Sequence, residues 1–477
     1  MEEVYNVHIE PKHAGENENS LMQAVNDHYR LPPELLNFRL SGDLCSHAEF
    51  FRFGRSVCYG RFAKTPGQQD THSPDLTSST TFDGNSLILP FNPTEIIDNL
   101  RLERYASGRF GQFDRTLKSL YYWLRPFTNR TLRSYIQRFR ANQWQSKRFP
   151  NWPVDTTVED LCESLLLLSM KAKSIERIPF IWFWPHGAQS CVCMTHDVEA
   201  PAGRDFCKQL LDINDGYGIK ASFQIVPEER YEVTEEFLDE LRNGGCEVCV
   251  QDLNHDGRLF DERNEFRRRV FLINQYGRDY RAQGFRSAVL YRKADWYQDL
   301  AFSYDMSMPN VAHLDPQSGG CCTVMPYFIG DVLELPVTTV QDYTLFHILK
   351  EHSVGLWETQ CETIIAKNGL LSFIVHPDYI TEPEALVAYT DLLALLAGLR
   401  ERHNLWHALP REINHWWRAR SRMSLVRHGE GWKIIGDGAE HAVLAFAEIR
   451  DGRLVYQLPD AFPDAISHLP EHRRRHG

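Results

Sequence analysis

Polar residues that could transfer protons or bind a metal ion recur directly after short apolar segments of the chain. They lie at positions 195–199, 251–257, 286–287, 305–309 and 376–378, and they include carboxylates, imidazoles and an arginine. Carboxylates and imidazoles serve most often as general bases, general acids and metal ligands. One such residue alone is usually a helix cap or an ion-pair partner, but five groups in chain order indicate a catalytic or metal-binding site.

The apolar segments before these groups alternate with helical patterns across residues 156–415. Strand-like runs such as 190–195, 220–226, 247–250 and 370–375 are separated by stretches with helical apolar spacing. This alternation predicts an α/β protein with a parallel sheet or barrel. Because the carboxyl ends of parallel strands open on one face of such a fold, the polar groups are expected to meet there.

The order of these groups resembles the motif order of the polysaccharide deacetylases, which form carbohydrate esterase family four. The resemblance runs from Gln189 to Tyr379, about two-fifths of the chain. It implies a distorted (β/α)7 barrel that removes acetyl groups from N-acetylated sugars with a divalent metal, usually zinc. The implied partner is therefore a glycan or a sugar precursor.

The resemblance assigns a base and a set of metal ligands. Asp197 matches the catalytic base of the first motif, and Glu199 matches its metal-binding acid, which is normally an aspartate. The second motif, His-x-x-x-His, falls on residues 251–255. There His255 matches the second imidazole, and Gln251 stands in place of the first.

Three further residues complete the implied site. Arg286 resembles the arginine that pairs with the base, Asp305 the acid of the fourth motif, and His376 the general acid of the fifth motif. Amide hydrolysis needs a base for water, stabilisation of the oxyanion and an acid for the leaving amine. The resemblance therefore predicts Asp197 as the base, held ionised by Arg286. It predicts His376 as the acid, tuned by a carboxylate such as Asp305.

Gln251 departs from the family pattern at a metal position. An amide is a poorer zinc donor than an imidazole, and Glu199 is one methylene longer than the usual aspartate. Three interpretations follow. The metal site is altered, with Asp252 or His196 as a substitute ligand; the protein is a metal-independent amidase on a non-sugar substrate; or it is a non-catalytic relative that binds or scaffolds glycans.

Composition divides the chain into three ranges. Residues 1–155 are expected to form an N-terminal accessory region, 156–415 the deacetylase-like barrel, and 416–477 a small β domain with a tail. In the last range, Asp451-Gly452 between two alternating segments predicts a β-hairpin.

A basic, aromatic segment at 101–150 contains ten arginines and two lysines against two acidic residues. It could attach to an anionic membrane surface, but a solvated helical pair packed on the acidic remainder of the protein is the favoured interpretation. Over the whole chain, Lys+Arg 52 against Asp+Glu 64 gives a formal charge of -12. That balance argues against a nucleic-acid partner.

The 477 residues have the composition of a well-cored protein, with 43% hydrophobic and 24% charged residues. Eleven cysteines without an export signal predict mostly reduced thiols in a cytoplasmic protein, peripheral at the inner membrane face if the basic segment binds lipid. Cys191 and Cys193 share a strand face with Asp197, and Cys249 shares one with Gln251. These cysteines are therefore expected to fill the barrel interior.

Overall fold

The computed structural model describes residues 18–64, 73–106, 144 and 146–459. The α-helices are α1 Glu18–Tyr29, α2 Pro93–Arg101, α3 Thr157–Ala172, α4 Pro201–Gly216, α5 Glu235–Asn243, α6 Arg263–Asp279, α7 Gly355–Ala366, α8 Pro383–His403 and α9 Pro410–Arg422. The strands are β1 Phe38–Leu40, β2 Glu49–Phe53, β3 Ser56–Gly60, β4 Thr81–Asp83, β5 Ser86–Leu89, β6 Arg177–Ile181, β7 Cys191–Val198, β8 Ala221–Ile225, β9 Glu247–Gln251, β10 Gly284–Arg286, β11 Tyr304–Asp305, β12 Tyr327–Ile329, β13 Val332–Glu334, β14 Leu370–Val375, β15 Trp406–His407, β16 Ser424–His428, β17 Gly431–Ile435, β18 Leu444–Arg450 and β19 Arg453–Gln457. Among the described helices, none combines the length and the apolarity that a bilayer span requires.

One curled sheet forms the centre of the molecule. Its strands follow the order β12-β13-β11-β10-β9-β8-β7-β14, and β15 also pairs with β7. The seven strands from β13 to β14 in this order run parallel, while β12 is antiparallel to β13. Seven parallel strands, with α-helices in the connections from β7 to β10 and from β13 to β14, make a distorted (β/α)7 barrel, so the predicted fold class is confirmed.

The barrel is distorted where it closes. Among the described strands, β13 and β14 do not pair; the segment 337–342 runs along β14 instead. The hydroxyl of Thr338 donates to the carbonyl of Leu370 at 2.6 Å, and the hydroxyl of Thr339 donates to the carbonyl of Ser372 at 2.8 Å. Side-chain hydroxyls thus take the place of part of a backbone ladder, and they bring this segment to the end of β14.

The central strands β7 and β14 are buried along their whole length. β14 is a nearly continuous apolar run, as in other parallel strands that are covered on both faces, whereas β7 carries the polar residues Thr195, His196 and Asp197 near its end. Cys191, Cys193 and Cys249 pack in one apolar cluster with Tyr304, and all three are buried. The expectation that they fill the barrel interior is confirmed, and all eleven cysteines are free.

The residues before the barrel add a second set of elements. Helices α1 and α2 pack on each other, and α3 packs on β3 and β5. Their buried side chains join one continuous apolar cluster with the interior of the barrel. Most of the basic segment, residues 107–143, lies outside the described residues, and so does the predicted helical pair.

The predicted hairpin joins β18 to β19. Asp451 and Gly452 both have positive φ, 49° and 73°, as a type I′ turn requires. Along its other edge, β18 pairs with β6. Residues 177–181 therefore belong to the same sheet as this hairpin and not to the barrel. The proposed division at 155/156 and 415/416 stays a prediction.

Candidate active site

The predicted site residues gather where the central strands end. They are Asp197 in β7 and Glu199 after it, Gln251 at the end of β9 and His255 in the next loop, Arg286 at the end of β10, and His376 after β14. The ends of parallel strands open on one face of a barrel, which explains why side chains so far apart in sequence meet.

Asp197 and Arg286 form a buried ion pair. Nη1 of Arg286 donates to Oδ1 of Asp197 and, at 2.8 Å, to the hydroxyl of Thr195, while its Nε donates to the carbonyl of Met306. Burial raises the pKa of the Asp197 carboxyl, and the guanidinium opposes this rise. The pair therefore presents an oriented carboxylate that is more basic than a solvated one.

Oε1 of Glu199 is the atom at which the other polar groups meet. Nε2 of Gln251 donates to it at 2.9 Å, and Nε2 of His255 and Nε2 of His376 lie 2.7 Å and 3.4 Å away. The Gln251 amide also donates to Oδ2 of Asp197 at 3.2 Å. Burial disfavours the ionised carboxylate, but the imidazoles of His255 and His376 outweigh burial and hold the pKa of Glu199 well below its usual range.

Asp342, which the sequence analysis did not identify, holds His376. Its Oδ1 lies 2.7 Å from Nδ1 of His376, and its Oδ2 accepts the backbone N–H of His376 at 2.7 Å. Burial by itself lowers the pKa of His376, but Asp342 and Glu199 raise it well above the usual value. A protonated imidazole whose Nε2 faces Glu199 is suited to act as a general acid.

The carboxylate beside His376 is therefore Asp342 and not the predicted Asp305. Asp305 aligns with Phe285 on β10 and with Glu334 on β13, and aligned residues of neighbouring strands share a face of the sheet. Phe285 packs in the outer core, whereas Arg286 points into the barrel. Asp305 accordingly faces outwards, where it accepts the hydroxyl of Ser307 at 2.8 Å.

A group of side chains at the site could hold a metal ion. One ligand atom each from Asp197, Glu199 and His376 lies within 4.8 Å of the other two. Of the three predicted ligands, Glu199 belongs to this group, whereas His255 does not but adjoins it, with its Nε2 2.7 Å from Oε1 of Glu199. Gln251 does not fit, since it turns its amide nitrogen, which is only a donor, towards both carboxylates.

Arg230 fixes the loop that carries His255. Its guanidinium donates to the carbonyls of Asn254 at 3.2 Å and of His255 at 2.6 Å, and its Nη2 lies 3.3 Å from Nδ1 of His255. A metal-ligating imidazole usually donates its second N–H to an acceptor, but here that nitrogen faces a cation. The contact favours the tautomer with its proton on Nε2, which faces Glu199.

The substitute ligands considered from the sequence lie outside the cluster of ligand atoms. Nδ1 of His196 contacts the carbonyl of Val375 at 3.1 Å, and its Nε2 contacts Asn214 at 3.0 Å. Burial lowers the pKa of His196 to about 3, so this imidazole is a neutral structural residue. Asp252 is buried, and its Oδ1 accepts the backbone N–H of Leu253.

No protein-family model and no curated protein sequence matches the chain. Among solved structures, it is similar to a Mycobacterium smegmatis protein described as a polysaccharide deacetylase, with 18% identity over 53% of this chain and 98% of that chain and a TM-score of 0.42. It is also similar to PuuE allantoinase (11% identity, 49% of this chain, 92% of that chain, TM-score 0.40). A third similar structure is the family 4 acetyl xylan esterase of Clostridium thermocellum in complex with a cobalt ion (14% identity, 48% of this chain, 91% of that chain, TM-score 0.30). These solved structures include polysaccharide deacetylases, and the likeness concerns the fold.

Proposed function

We propose that this protein is a deacetylase-like hydrolase that removes the N-acetyl group from a sugar or a glycan precursor. The observation that carries the proposal is a pair of oriented groups close to Glu199 and to each other: Asp197 held by Arg286, and His376 held by Asp342. A base and an acid placed around one position are what the hydrolysis of an amide requires.

In this reaction Asp197 takes a proton from water as the water oxygen attacks the acyl carbon. The C–N bond of the tetrahedral intermediate then breaks, and the nitrogen takes a proton from Nε2 of His376. The products are acetate and a free amine. Arg286 keeps Asp197 oriented and ionised, while Asp342 keeps His376 oriented and protonated.

Glu199 and His255 are the residues that would hold a divalent ion, zinc in the proposal, and the ion would then replace the proton that Nε2 of His255 directs towards Glu199. When bound, such an ion polarises the scissile carbonyl as a Lewis acid. The Gln251 amide binds both carboxylates and so fixes the spacing between the base and Glu199.

A second candidate function is a metal-independent amidase on a non-sugar substrate. Two contacts favour it: Gln251 presents a donor where a ligand is expected, and Arg230 faces the nitrogen of His255 through which a ligating imidazole is normally supported. In this candidate, His255 and Gln251 balance the charge of Glu199 by hydrogen bonding alone.

The proposed function is tested by following amine release from N-acetylated amino sugars. We expect Asp197→Asn to lower kcat about 10²- to 10⁴-fold, because the general base is lost. Asp215→Asn, which alters a surface ion pair with Lys220, serves as the matched control and keeps full activity. A folded wild-type protein that hydrolyses no such sugar would overturn the proposal and leave two alternatives, an amidase on a non-sugar substrate and glycan binding without catalysis.

Metal content separates the two candidates. Under the zinc proposal, purified wild-type protein carries a divalent ion that His255→Ala removes. Under the metal-independent candidate, wild-type protein is free of metal, and only Gln251→His acquires zinc, because an imidazole nitrogen then replaces the amide nitrogen. The double variant Gln251→His/His255→Ala controls for binding elsewhere and stays free of zinc.

The location remains part of the proposal. A cytoplasmic enzyme would act on a precursor, including a lipid-linked one, before export of the mature polymer. The basic segment at 101–150 would bring the protein to an anionic membrane surface only if it binds lipid.

A further inference from the structure

A cluster of aromatic rings lies next to His376 and is not used by the proton-transfer steps. The ring of Tyr379 lies over His376, with centroids 4.6 Å apart and an interplanar angle of 32°. The ring centroid of Tyr379 also lies 4.9 Å from that of His347 and 5.9 Å from that of Tyr343, and the centroids of Tyr343 and His347 are 5.3 Å apart. We call Tyr343, His347 and Tyr379 the aromatic ledge.

The ledge is built on an unusual element. Tyr343 and His347 belong to a π-helix, Tyr343–Leu349, a form that occurs mostly in short pieces at functional sites. Asp342 caps this helix by accepting the N–H of Tyr343 at 2.7 Å, and the same carboxylate holds His376. One buried side chain therefore fixes the ledge and the general acid relative to each other.

The ledge is open to a ligand. His347 is exposed, and Tyr343 and Tyr379 are half-buried, whereas His376 and Asp342 beneath them are buried. Burial and the nearby Lys350 lower the pKa of His347, so its ring is neutral near pH 7. The ledge thus offers uncharged ring faces next to the general acid, with tyrosine hydroxyls among them.

These properties suit one class of ligand. A pyranose ring has a face made of C–H groups and a rim of hydroxyls, so it combines an apolar surface with hydrogen-bonding edges. Tyrosine and histidine rings combine an apolar body with a polar tip, and they lose little conformational freedom on binding. A peptide or a charged heterocycle would instead need charged or backbone partners for its polar groups.

We propose that the aromatic ledge is the subsite that binds the pyranose ring of an N-acylated amino sugar. The ring stacks on Tyr343 and His347, and Tyr379 directs its acylamino group towards His376. This inference rests on the proposed hydrolase function, since it names the part of the substrate that the site recognises.

The test measures binding apart from turnover. Asp197→Asn protein is titrated with N-acetylglucosamine and with its β-1,4-linked trimer, and the sugar C–H protons are followed by NMR. Stacking on aromatic rings predicts upfield shifts of C–H protons on one sugar face. Adding Tyr343→Ala is expected to weaken binding of the trimer at least tenfold and to abolish these shifts, while Tyr343→Phe keeps them.

Tyr217→Ala is the matched control, because Tyr217 is a half-buried tyrosine at the end of α4, about 24 Å along that helix from the site. If Tyr343→Ala and the control bind the trimer with equal affinity, the ledge is not the sugar subsite. The same conclusion follows if neither sugar binds to the protein.

Kinetics in the wild-type background separate the two hypotheses. If Tyr343→Ala and His347→Ala raise KM at least tenfold and leave kcat within a few-fold, the ledge binds substrate. If the wild-type protein releases amine but these variants keep its KM, the ledge is wrong and the hydrolase function stands. If no amine is released, and neither sugar binds, both proposals fall together.

Discussion

Glu199 lies at the centre of the proposed site, because three neighbouring polar groups meet at one of its oxygens. His255, His376 and the amide of Gln251 all lie within 3.4 Å of Oε1. Such a carboxylate is ionised at neutral pH and keeps His376 protonated. The charge of Glu199 thus helps to keep the proposed acid protonated, while Arg286 orients the proposed base.

Asp342 and Asp305 provide a matched test of the positioning of His376. We expect Asp342→Asn to lower kcat about 10²-fold or more, because His376 loses the anion that orients it and raises its pKa. The alkaline limb of the pH profile of kcat should move to lower pH, since His376 then loses its proton sooner. A purely structural role for Asp342 would leave that limb in place.

Asp305→Asn is the control for this prediction. Asp305 is buried on the outer face of the sheet and contacts Ser307 and not His376. The variant should keep both kcat and the pH profile of the wild-type protein. If Asp305→Asn moves the alkaline limb and Asp342→Asn does not, the assignment of the two carboxylates is reversed.

The order of the motifs was enough to predict that Asp197, Glu199, Arg286 and His376 lie close together, because the carboxyl ends of the strands in a parallel barrel open on one face. It could not find Asp342, which follows no motif and reaches His376 only through the way the barrel closes. The expectation that Asp305 lies beside His376 was wrong, because the face on which a residue of β11 lies depends on the register with β10, which the sequence does not state.

At the scale of elements, α3 carries a buried acid that links it to the loop before β12. Oε1 of Glu159 accepts the hydroxyl of Thr323 and the N–H of Val324. Burial raises the pKa of Glu159 from 4.5 to about 7, and the hydrogen bond from Thr323 opposes the rise. In the folded protein the carboxyl is therefore protonated over a pH range in which the same carboxyl is ionised in the unfolded chain.

This shift sets a direction for stability against pH. Between pH 4.5 and 7 the folded state binds more protons than the unfolded state, so the free energy of unfolding falls as the pH rises through that window. The contribution is fully present below pH 4.5, and its loss amounts to about 3 kcal/mol at most.

Glu159→Gln removes the titrating group and keeps an oxygen acceptor for Thr323 and Val324. Urea unfolding at a series of pH values should show the variant gaining stability relative to the wild-type protein as the pH rises from 4.5 to 7. If the free energy of unfolding of the two proteins depends on pH in the same way, the raised pKa of Glu159 is contradicted.

Local signals predicted some elements and not others. The Asp451-Gly452 turn predicts its hairpin, because few residue pairs adopt two positive φ angles. The π-helix Tyr343–Leu349 has no such signal in its sequence; in the structure, Asp342 accepts the N–H of its first residue and also binds His376.

At the scale of the whole molecule, a buried ion pair joins the N-terminal elements to the barrel. Arg292 donates to the carboxylate of Glu103 through Nε at 2.6 Å and Nη2 at 2.5 Å, and Gly320 donates its N–H to the same group. Both charged side chains are nearly inaccessible to solvent. The pair ties the segment after α2 to two loops of the barrel.

Glu103→Ala leaves Arg292 buried without its anion, so we expect the free energy of unfolding to drop by about 3–5 kcal/mol. The control is Asp83→Ala, which removes an exposed partner of Arg39 and should cost less than about 1 kcal/mol. Urea unfolding monitored by tryptophan fluorescence measures both. Equal effects would mean that the buried pair does not stabilise the fold.

Alternation of strands and helices was sufficient for the barrel but not for the way the ends of the chain join it. β6 lies within residues 156–415, the range predicted for the barrel, yet it pairs with β18, more than 260 positions later in the chain. Pairing between segments so distant in sequence depends on the shared apolar cluster of the N-terminal elements, which no local pattern reveals.

In the proposed reaction Asp197 activates water to cleave an acyl C–N bond. The most direct measurement is the mass of the acetate released from an N-acetylated sugar by the wild-type protein in water enriched in ¹⁸O. We expect equal amounts of acetate and free amine, with one ¹⁸O in each acetate from a single turnover, and at least about 100-fold slower release of both products by Asp197→Asn. Folded wild-type protein that yields no acetate, or acetate without ¹⁸O, contradicts the proposed reaction.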